Sequence, residues 1–394
     1  MKIGIFGGSF DPVHVDHVNI CEKFSENFGL DKTLLFPAGI SPFKNGCAVS
    51  GEQRAEMLDL AFENFPHGKA EIRLDELARA GKSYTCDTVT QTAAEYEKKA
   101  EEAGESLTVY LLIGEDSART FHLWKNPQII LQKCEIVIAG RGSGTLEETA
   151  LLFEKNNGKK PFLINTNGRI SSTLAREAIK LDADLSGILP EKVAEYVAKN
   201  RLYALEKNDK NYKYYSFVTA NCQKKRLKHT AGVICQAIEY AKKLNQSVEK
   251  ASLAALLHDC AKYLNPEDYK IEGFNCDGVP QPVIHQFLGA FVAEKILGVT
   301  DGEVISAIKW HTTGKPGMNE LEKIIWTADL LEPSRDFNGV EELRVAVDRD
   351  FESGFRLCVS ELYKFLKKDG APLYMTDEVY SYYCGQAGAE GKPL

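Results

Sequence analysis

The sequence of 394 residues predicts an α/β domain with a doubly wound parallel sheet, followed by an all-helical domain. Three observations carry that expectation. Over the first half, short apolar runs alternate with amphipathic stretches of helical period. A polar, charge-dense segment, ALEKNDKNYK at 204–213, then interrupts the chain. Beyond it every periodic segment reads as helix, and no strand is convincing.

In the first half, residues 2–6, 33–36, 71–74, 108–113, 136–139 and 162–165 read as strands. Residues 15–28, 52–65, 87–103 and 191–200 read as helices between or after them. Strands separated by helices pair in parallel through right-handed crossovers, which gives a sheet of the Rossmann-like kind with ligands at the carboxyl ends of its strands. In the second half, residues 225–244, 248–262, 282–297, 301–311, 321–331 and 340–368 read as helices that assemble around a site in their core. The expected domains are 1–205 and 212–394. There is no internal repeat, and the small, polar tail 385–394 is expected to fray.

Composition narrows the function. Apolar residues make up 44% and charged residues 26%, as in ordinary globular proteins. A formal net charge of −8 argues against a general nucleic-acid or anionic-membrane binder, which needs a basic face. No apolar run approaches the length of a membrane span, and the opening MKIGIFGGSF meets two glycines before any long apolar region. Ten scattered cysteines without a C-x-x-C pair read as reduced buried thiols of a cytoplasmic protein.

The first strand runs directly into Gly7-Gly8-Ser9-Phe10-Asp11-Pro12-Val13-His14, with His17 one turn later. Glycines let backbone N–H groups approach a phosphate closely, and the start of the following helix favours anions. His14 and His17, three apart, share one face there and can donate hydrogen bonds to a triphosphate as charge builds at its α-phosphorus. Read alone, the glycine pair is a turn and the histidines are a surface pair.

GGSFDPVHVDH resembles the GGSFDPxHxGH signature of the bacterial nicotinate-mononucleotide adenylyltransferases, within the HxGH nucleotidyltransferase superfamily. Five more segments resemble that family in order. They are Pro37 through Pro42-Phe43-Lys44, Ser83-Tyr84-Thr85-Cys86-Asp87-Thr88, Gly114-Glu115-Asp116 through Trp124, Ile170-Ser171-Ser172-Thr173-Leu174-Ala175-Arg176, and Val193 through Leu202-Tyr203. The resemblance implies roles. Gly7, Gly8, Ser9 and Phe10 form the substrate-binding turn. His14 and His17 stabilise the ATP phosphates, and Lys44 meets the triphosphate. Ser172, Thr173 and Arg176 mark a second phosphate-binding helix start. Tyr84 and Thr85 offer backbone donors to the nicotinate carboxylate, Trp124 stacks on the pyridine, and Asp116 faces the sugar or metal region. ATP brings its own Mg²⁺, and catalysis is positioning and charge stabilisation.

Two positions depart from the family pattern. Phe43 stands where the family often has His before its loop lysine. Asp16 stands where it has glycine between the histidines. Facing a phosphate at about 4 Å with an effective dielectric of about 20, the Asp16 carboxylate costs roughly 4 kcal/mol before screening. Pointing elsewhere, it only tunes affinity.

The second half has four histidines, His229, His258, His285 and His311. An adjacent His258-Asp259 pair follows the apolar run LAALL. Burying that pair is costly unless it is paired or holds a metal. The order His229…His258-Asp259…His285…His311…Asp329 resembles the H…HD…D pattern of the HD phosphohydrolases, with the two extra histidines found in members that hold two metals. The words LLHDCAK, HTTGKPGM and ADLLEPSR resemble the bacterial YqeK family of symmetrical diadenosine tetraphosphate hydrolases. The resemblance implies an HD-type helical domain with two first-row metals, iron or manganese, bound by those six residues. Asp259 is the expected bridge and Lys262 a catalytic cation beside a phosphate oxygen. Arg226, Lys315 and Arg335 are further phosphate candidates.

The expected function is bifunctional: adenylylation of nicotinate mononucleotide by ATP, and cleavage of diadenosine tetraphosphate to two ADP. The alternative makes the first half a degenerate nucleotide-binding regulatory module, disabled by Asp16, that controls an HD hydrolase. Other acceptors (pantetheine phosphate, a cytidylyl reaction) and other HD substrates (deoxynucleotides, cyclic nucleotides) are the remaining rivals. The sequence leaves open whether the protein is a homo-oligomer.

Overall fold

A computed structural model describes residues 1–39, 46–65, 70–79, 81–140, 142, 144–166, 168–267 and 271–385. The chain divides into two compact units. One is Met1–Ala175 with Ser186–Tyr203, and the other is Arg176–Leu185 with Ala204–Leu394.

The first unit is built on six strands: β1 (Lys2–Gly8), β2 (Lys32–Pro37), β3 (Ala70–Ile72), β4 (Thr108–Gly114), β5 (Glu135–Gly140) and β6 (Phe162–Asn165). All pair in parallel in the order β3-β2-β1-β4-β5-β6. Helices α1 (Val15–Phe28), α2 (Gly51–Phe62), α3 (Asp75–Ala78), α4 (Thr85–Ala103), α5 (Glu115–Thr120), α6 (Pro127–Lys133), α7 (Leu146–Asn157), α8 (Ser172–Lys180) and α9 (Glu191–Lys199) join and follow the strands. The division between the units falls within α8.

Both sheet faces are covered, so the central strands read as continuous apolar runs rather than alternating ones. Ile3, Ile5, Leu111, Ile113, Ile136 and Ile138 belong to one core, whereas Leu112, Val137 and Ala139 belong to the other, with Phe24 and Leu30. Gly4 marks where α1 comes closest. A Cβ there would lie 2.5 Å from Leu30 Cδ1 and 2.6 Å from Phe24 Cε1. Gly4→Val is therefore expected to destabilise this unit by about 2 kcal/mol through overpacking, read as a lower urea midpoint. An unchanged midpoint would show that α1 is not packed this closely.

The strand order reverses at β1, which lies between β2 and β4. Such a switch point opens a crevice at the carboxyl ends of the strands. Gly7 and Gly8, the last residues of β1, stand at that edge, in register with Phe36 and Pro37 of β2.

The second unit adds α10 (Tyr212–Asn221), α11 (Lys224–Lys243), α12 (Val248–Leu257), α13 (Ile284–Phe291), α14 (Gly302–Lys309), α15 (Glu320–Leu331), α16 (Val340–Arg349), α17 (Phe351–Asp369) and α18 (Thr376–Cys384). Helix α15 is buried almost all round, including Ile324, Ile325, Trp326 and Ala328, as the central helix of an assembly must be. Within this unit the Tyr215 hydroxyl donates to the Glu177 carboxylate.

Three expected helices are shorter than their apolar pattern. The stretch 340–368 is two helices, broken at Asp350. This residue adopts extended backbone (φ −145°, ψ 115°), and its carboxylate caps α17 by accepting from the Ser353 N–H at 2.8 Å. The stretch 282–297 becomes a 3₁₀ turn, α13 and a π-helical turn over Val292–Ile296. The stretch 248–262 is regular only to Leu257. It then tightens through bonds from Cys260 N–H to Leu257 C=O and from Lys262 N–H to Asp259 C=O. The expected linker at 204–213 runs into the start of α10. No disulfide joins the ten cysteines, and among the described residues no helix is long and apolar enough to cross a membrane.

Candidate active sites

At the head of β1 the turn is held from beneath by Arg54, only 3% exposed. Its guanidinium donates to Ser9 C=O at 2.7 Å and to Ala38 C=O at 2.8 Å. Asp11 accepts from the Ala48 N–H and the Tyr203 hydroxyl, each at 2.8 Å. The ring of Phe10 is buried and packs edge-on against Phe6 and His17, so this residue supports the turn with its side chain. A Cβ on Gly8 would meet that ring at 3.1 Å.

His14 caps α1. Its N–H donates to His17 Nδ1 at 3.2 Å, and the two rings lie against each other, tilted by 30° with centroids 3.6 Å apart. Because Nδ1 of His17 accepts, its proton resides on Nε2 in the neutral form, which makes Nε2 the donor for a ligand. Across from this corner, Ser172 Oγ at the start of α8 donates to Pro12 C=O at 2.9 Å. Thr173 lies in the same first turn and Arg176 one turn further along α8.

Asp16 takes the second of the two alternatives. Its carboxylate accepts from the Ile170 N–H at 2.6 Å. A Cβ on Gly168 would lie 2.6 Å from the same carboxyl group.

A cleft of about 690 Å³ opens beside the turn. It is lined by Gly7, Gly8, Ser9, Tyr84, Thr85, Asp116, Trp124 and Lys125, among others. Helix α4 begins after Tyr84 with no side-chain cap. The N–H groups of Asp87 and Thr88 bond back to Tyr84 C=O, which leaves those of Thr85 and Cys86 as first-turn donors. Trp124 leans on Phe121 with ring centroids 5.0 Å apart. Lys44, together with Phe43, lies outside the described residues. Sequence reasoning missed Arg54, Asp11 and Lys125. The ammonium of Lys125 sits 4.3 Å over the Tyr84 ring and 3.3 Å from Asp87 Oδ2, and its position right after Trp124 was an available signal.

In the helical unit, His229 is carried on α11, His258 and Asp259 directly follow α12, His285 opens α13, His311 follows α14, and Asp329 is in the last turn of α15. Their ligand atoms form two groups, His229/His258/Asp329 and Asp259/His285/His311. Within each group the atoms lie within 4.8 Å of one another. His229 Nε2 is 3.1 Å from Asp329 Oδ1 and 3.4 Å from His258 Nε2. His285 Nε2 and His311 Nε2 are 3.2 Å apart, and they are 3.3 and 3.5 Å from Asp259 Oδ1. The other oxygen of Asp259 faces the first group, 3.3 Å from His258 Nε2.

These residues fit metal ions. Nitrogen lone pairs converge on nitrogen lone pairs, an arrangement that a shared cation resolves. Both Asp259 oxygens are buried without a hydrogen bond of good geometry, although the Arg226 guanidinium makes an ion-pair contact. Each anchored histidine turns Nε2 inward. His258 Nδ1 donates to Ala255 C=O at 2.6 Å and His311 Nδ1 to Ile308 C=O at 2.8 Å. Burial, the largest cause, pushes the pKa of His258 well below its ordinary value and that of His311 down to about 4. Both imidazoles are therefore neutral and able to ligate near neutral pH.

His229 is oriented differently. Its Nδ1 lies 3.0 Å from Glu332 Oε1, a carboxylate only 1% exposed that also accepts from the N–H and hydroxyl of Ser334. A carboxylate behind a ligating imidazole fixes its ring and raises its basicity. Sequence reasoning missed Glu332, three residues after Asp329.

Lys262 Nζ is 3.0 Å from His285 Nε2 and 3.9 Å from Asp259 Oδ1. Burial, followed by the repulsion of Arg226, lowers its pKa to about 8. Arg335 donates to Asp329 Oδ1 at 2.7 Å and so also borders the centre. Lys315 instead pairs with buried Glu322 at 3.0 Å, which gives it a structural partner.

The folds and their sites define a nucleotidyltransferase built on a doubly wound parallel sheet, joined to a helical HD-type phosphohydrolase. Residues 5–178 match the cytidylyltransferase-like family and residues 226–334 the HD domain family. A solved predicted HD superfamily hydrolase involved in NAD metabolism, from Clostridium acetobutylicum, is 36% identical. It covers 44% of this chain and 96% of its own, with a TM-score of 0.41. A probable nicotinate-nucleotide adenylyltransferase of Dictyoglomus turgidum is 34% identical over 207 residues, 52% of this chain and 97% of that protein. A symmetrical bis(5′-nucleosyl)-tetraphosphatase of Bacillus subtilis is 35% identical over 153 residues, 37% of this chain and 82% of that protein. The chain thus belongs to the nicotinate-nucleotide adenylyltransferase family in its first half and to the HD-domain family of symmetrical bis(5′-nucleosyl)-tetraphosphatases in its second.

Proposed function

We propose that the first half transfers AMP from ATP to nicotinate mononucleotide, giving nicotinate adenine dinucleotide and pyrophosphate. The observation that carries this is the His14/His17 corner at the sheet's switch point, beside a cleft lined by Tyr84, Thr85 and Trp124. A phosphate oxygen of the mononucleotide attacks the ATP α-phosphorus. The bond from that phosphorus to the bridging oxygen breaks, and pyrophosphate leaves with its Mg²⁺. No protein nucleophile is required. The glycine turn, His17 Nε2 and the start of α8 hold the phosphates, while the first turn of α4 receives the nicotinate carboxylate and Trp124 stacks on the ring. Pyrophosphate release from ATP plus nicotinate mononucleotide tests this. Release with pantetheine phosphate instead, or none with any acceptor, would overturn it. The regulatory-module alternative rested on Asp16 crowding the phosphates, and the bond from Ile170 gives that carboxylate another partner.

The second half, in this reading, cleaves diadenosine tetraphosphate symmetrically. Asp259 carries the assignment, presenting one oxygen to each group of ligands. Two first-row metal ions held there, iron or manganese, would supply a strong nucleophile at neutral pH and charge stabilisation for a phosphate. The chain's own residues orient that chemistry: Glu332 fixes His229, and Lys262 offers a cation to a phosphate oxygen. Separation of the reaction products provides the test. Two ADP support the assignment, and AMP plus ATP contradicts it. The proposed domain boundary is tested by expressing residues 1–205 and 212–394 separately. Each is expected to unfold cooperatively, and failure of both pieces to fold would remove the boundary.

A further inference from the structure

We infer that Asp16 is a positioning residue for ATP: its carboxylate pins the segment that leads into α8, and Gly168 is glycine so that the carboxylate can reach it. The inference rests on the reading above, in which the start of α8 meets the ATP phosphates.

Ser172 and Ile170 each bond to the chain at the beginning of α1. Ser172 Oγ donates to Pro12 C=O at 2.9 Å, and the Ile170 N–H donates to Asp16 Oδ2 at 2.6 Å. They lie on either side of Ser171, whose Oγ accepts from Leu174 N–H at 3.2 Å and so shapes the first turn of α8. Of the two bonds, the one to Asp16 is charge-assisted and therefore the stronger kind. A glycine or alanine at position 16 leaves the Ile170 N–H without that acceptor, and the entry to α8 loses a tie to the start of α1.

Gly168 completes the device. Its φ lies outside the left-handed region, so its backbone conformation accepts an L side chain. Among the described residues the three heavy atoms nearest to a Cβ there all belong to Asp16, with Cγ and Oδ2 at 2.6 Å and Oδ1 at 3.0 Å. The two positions, far apart in the chain, are thus fitted to each other: small at 168 because position 16 carries a carboxylate.

This makes a coupled prediction. Asp16→Ala and Gly168→Ala each break the same bond, the first by removing the acceptor and the second by pushing it aside. Each is expected to raise the KM for ATP about tenfold, with the KM for nicotinate mononucleotide and kcat little changed. The double variant is expected to be no worse than either single one, the mark of two residues acting through one interaction. Asp16→Asn keeps an acceptor for the Ile170 N–H and is expected to stay within about twofold of wild type.

The cycle is measured twice on the full chain: in steady-state kinetics, and as affinity for α,β-methylene-ATP by calorimetry. Wild type that binds the analogue yet releases no pyrophosphate would defeat the adenylyltransferase reading, and the affinity cycle would still decide this one. Additive losses in the double variant overturn the pairing. An Asp16→Ala protein with a lower KM for ATP than wild type, or an Asp16→Asn protein with one more than about twofold lower, would show repulsion of the phosphates to dominate, and would overturn the positioning role.

Discussion

Asp259→Ala is expected to empty the helical unit of both metals and to abolish hydrolysis of diadenosine tetraphosphate. The carboxylate is 1% exposed, belongs to the group with His285 and His311, and turns its other oxygen to His258 of the second group at 3.3 Å. The purified wild-type protein, fully loaded, is expected to carry about two first-row metals per chain. His285→Ala or His311→Ala removes ligands from one group only, and such variants should retain about one metal with most hydrolysis lost. Metal analysis by mass spectrometry reads the stoichiometry, and nucleotide chromatography reads the products. Adenylylation serves as the internal control. A fully active protein with a single metal, or an Asp259→Ala protein that keeps both, would break the dinuclear assignment.

His14→Ala and His17→Ala are each expected to reduce nicotinate mononucleotide adenylylation by roughly 10²–10³-fold, the range for loss of one preorganised donor to developing charge. The double variant should lose less than the product of the two. The backbone of His14 holds His17 Nδ1 and the ring centroids are 3.6 Å apart, so the residues act as a unit. Hydrolysis of diadenosine tetraphosphate is expected to be unaffected. A pair of variants that adenylylate at the wild-type rate would remove the histidines from the catalytic machinery.

Much of the architecture was legible from the amino-acid sequence because local chemistry and fold agree. The central strands are apolar runs, as buried parallel strands must be, and all six strands begin within a residue of where pattern alone puts them. Helix α1 has the expected bounds, starting after His14 and ending before Gly29, whose φ of 58° closes it. That four histidines and two aspartates of the second half gather into two groups was legible because such residues at or just past helices with apolar runs have little reason to be there except one another. Periodicity was least informative where a single residue overrides it. Asp350 interrupts an unbroken amphipathic pattern by capping a new helix, and Val292–Ile296 winds as a π-helical turn with no signal in its composition.

What the sequence alone determined is the identity of the chemical groups and the order in which the chain presents them: glycine turn, two histidines, then the H…HD…H…H…D series. Tertiary structure alone decided which groups meet. Asp16 and Ile170 are 154 residues apart, and no local rule says whether that carboxylate faces a phosphate or a backbone N–H. His229 and Glu332 are separated by 103 residues, and the choice of a carboxylate rather than a carbonyl behind this imidazole depends on how α11 packs on the end of α15. The physical reason is common to both. A buried polar group must find a partner, and its type narrows the candidates. The partner it takes is set by the close packing of elements far apart in the chain, which local sequence does not encode.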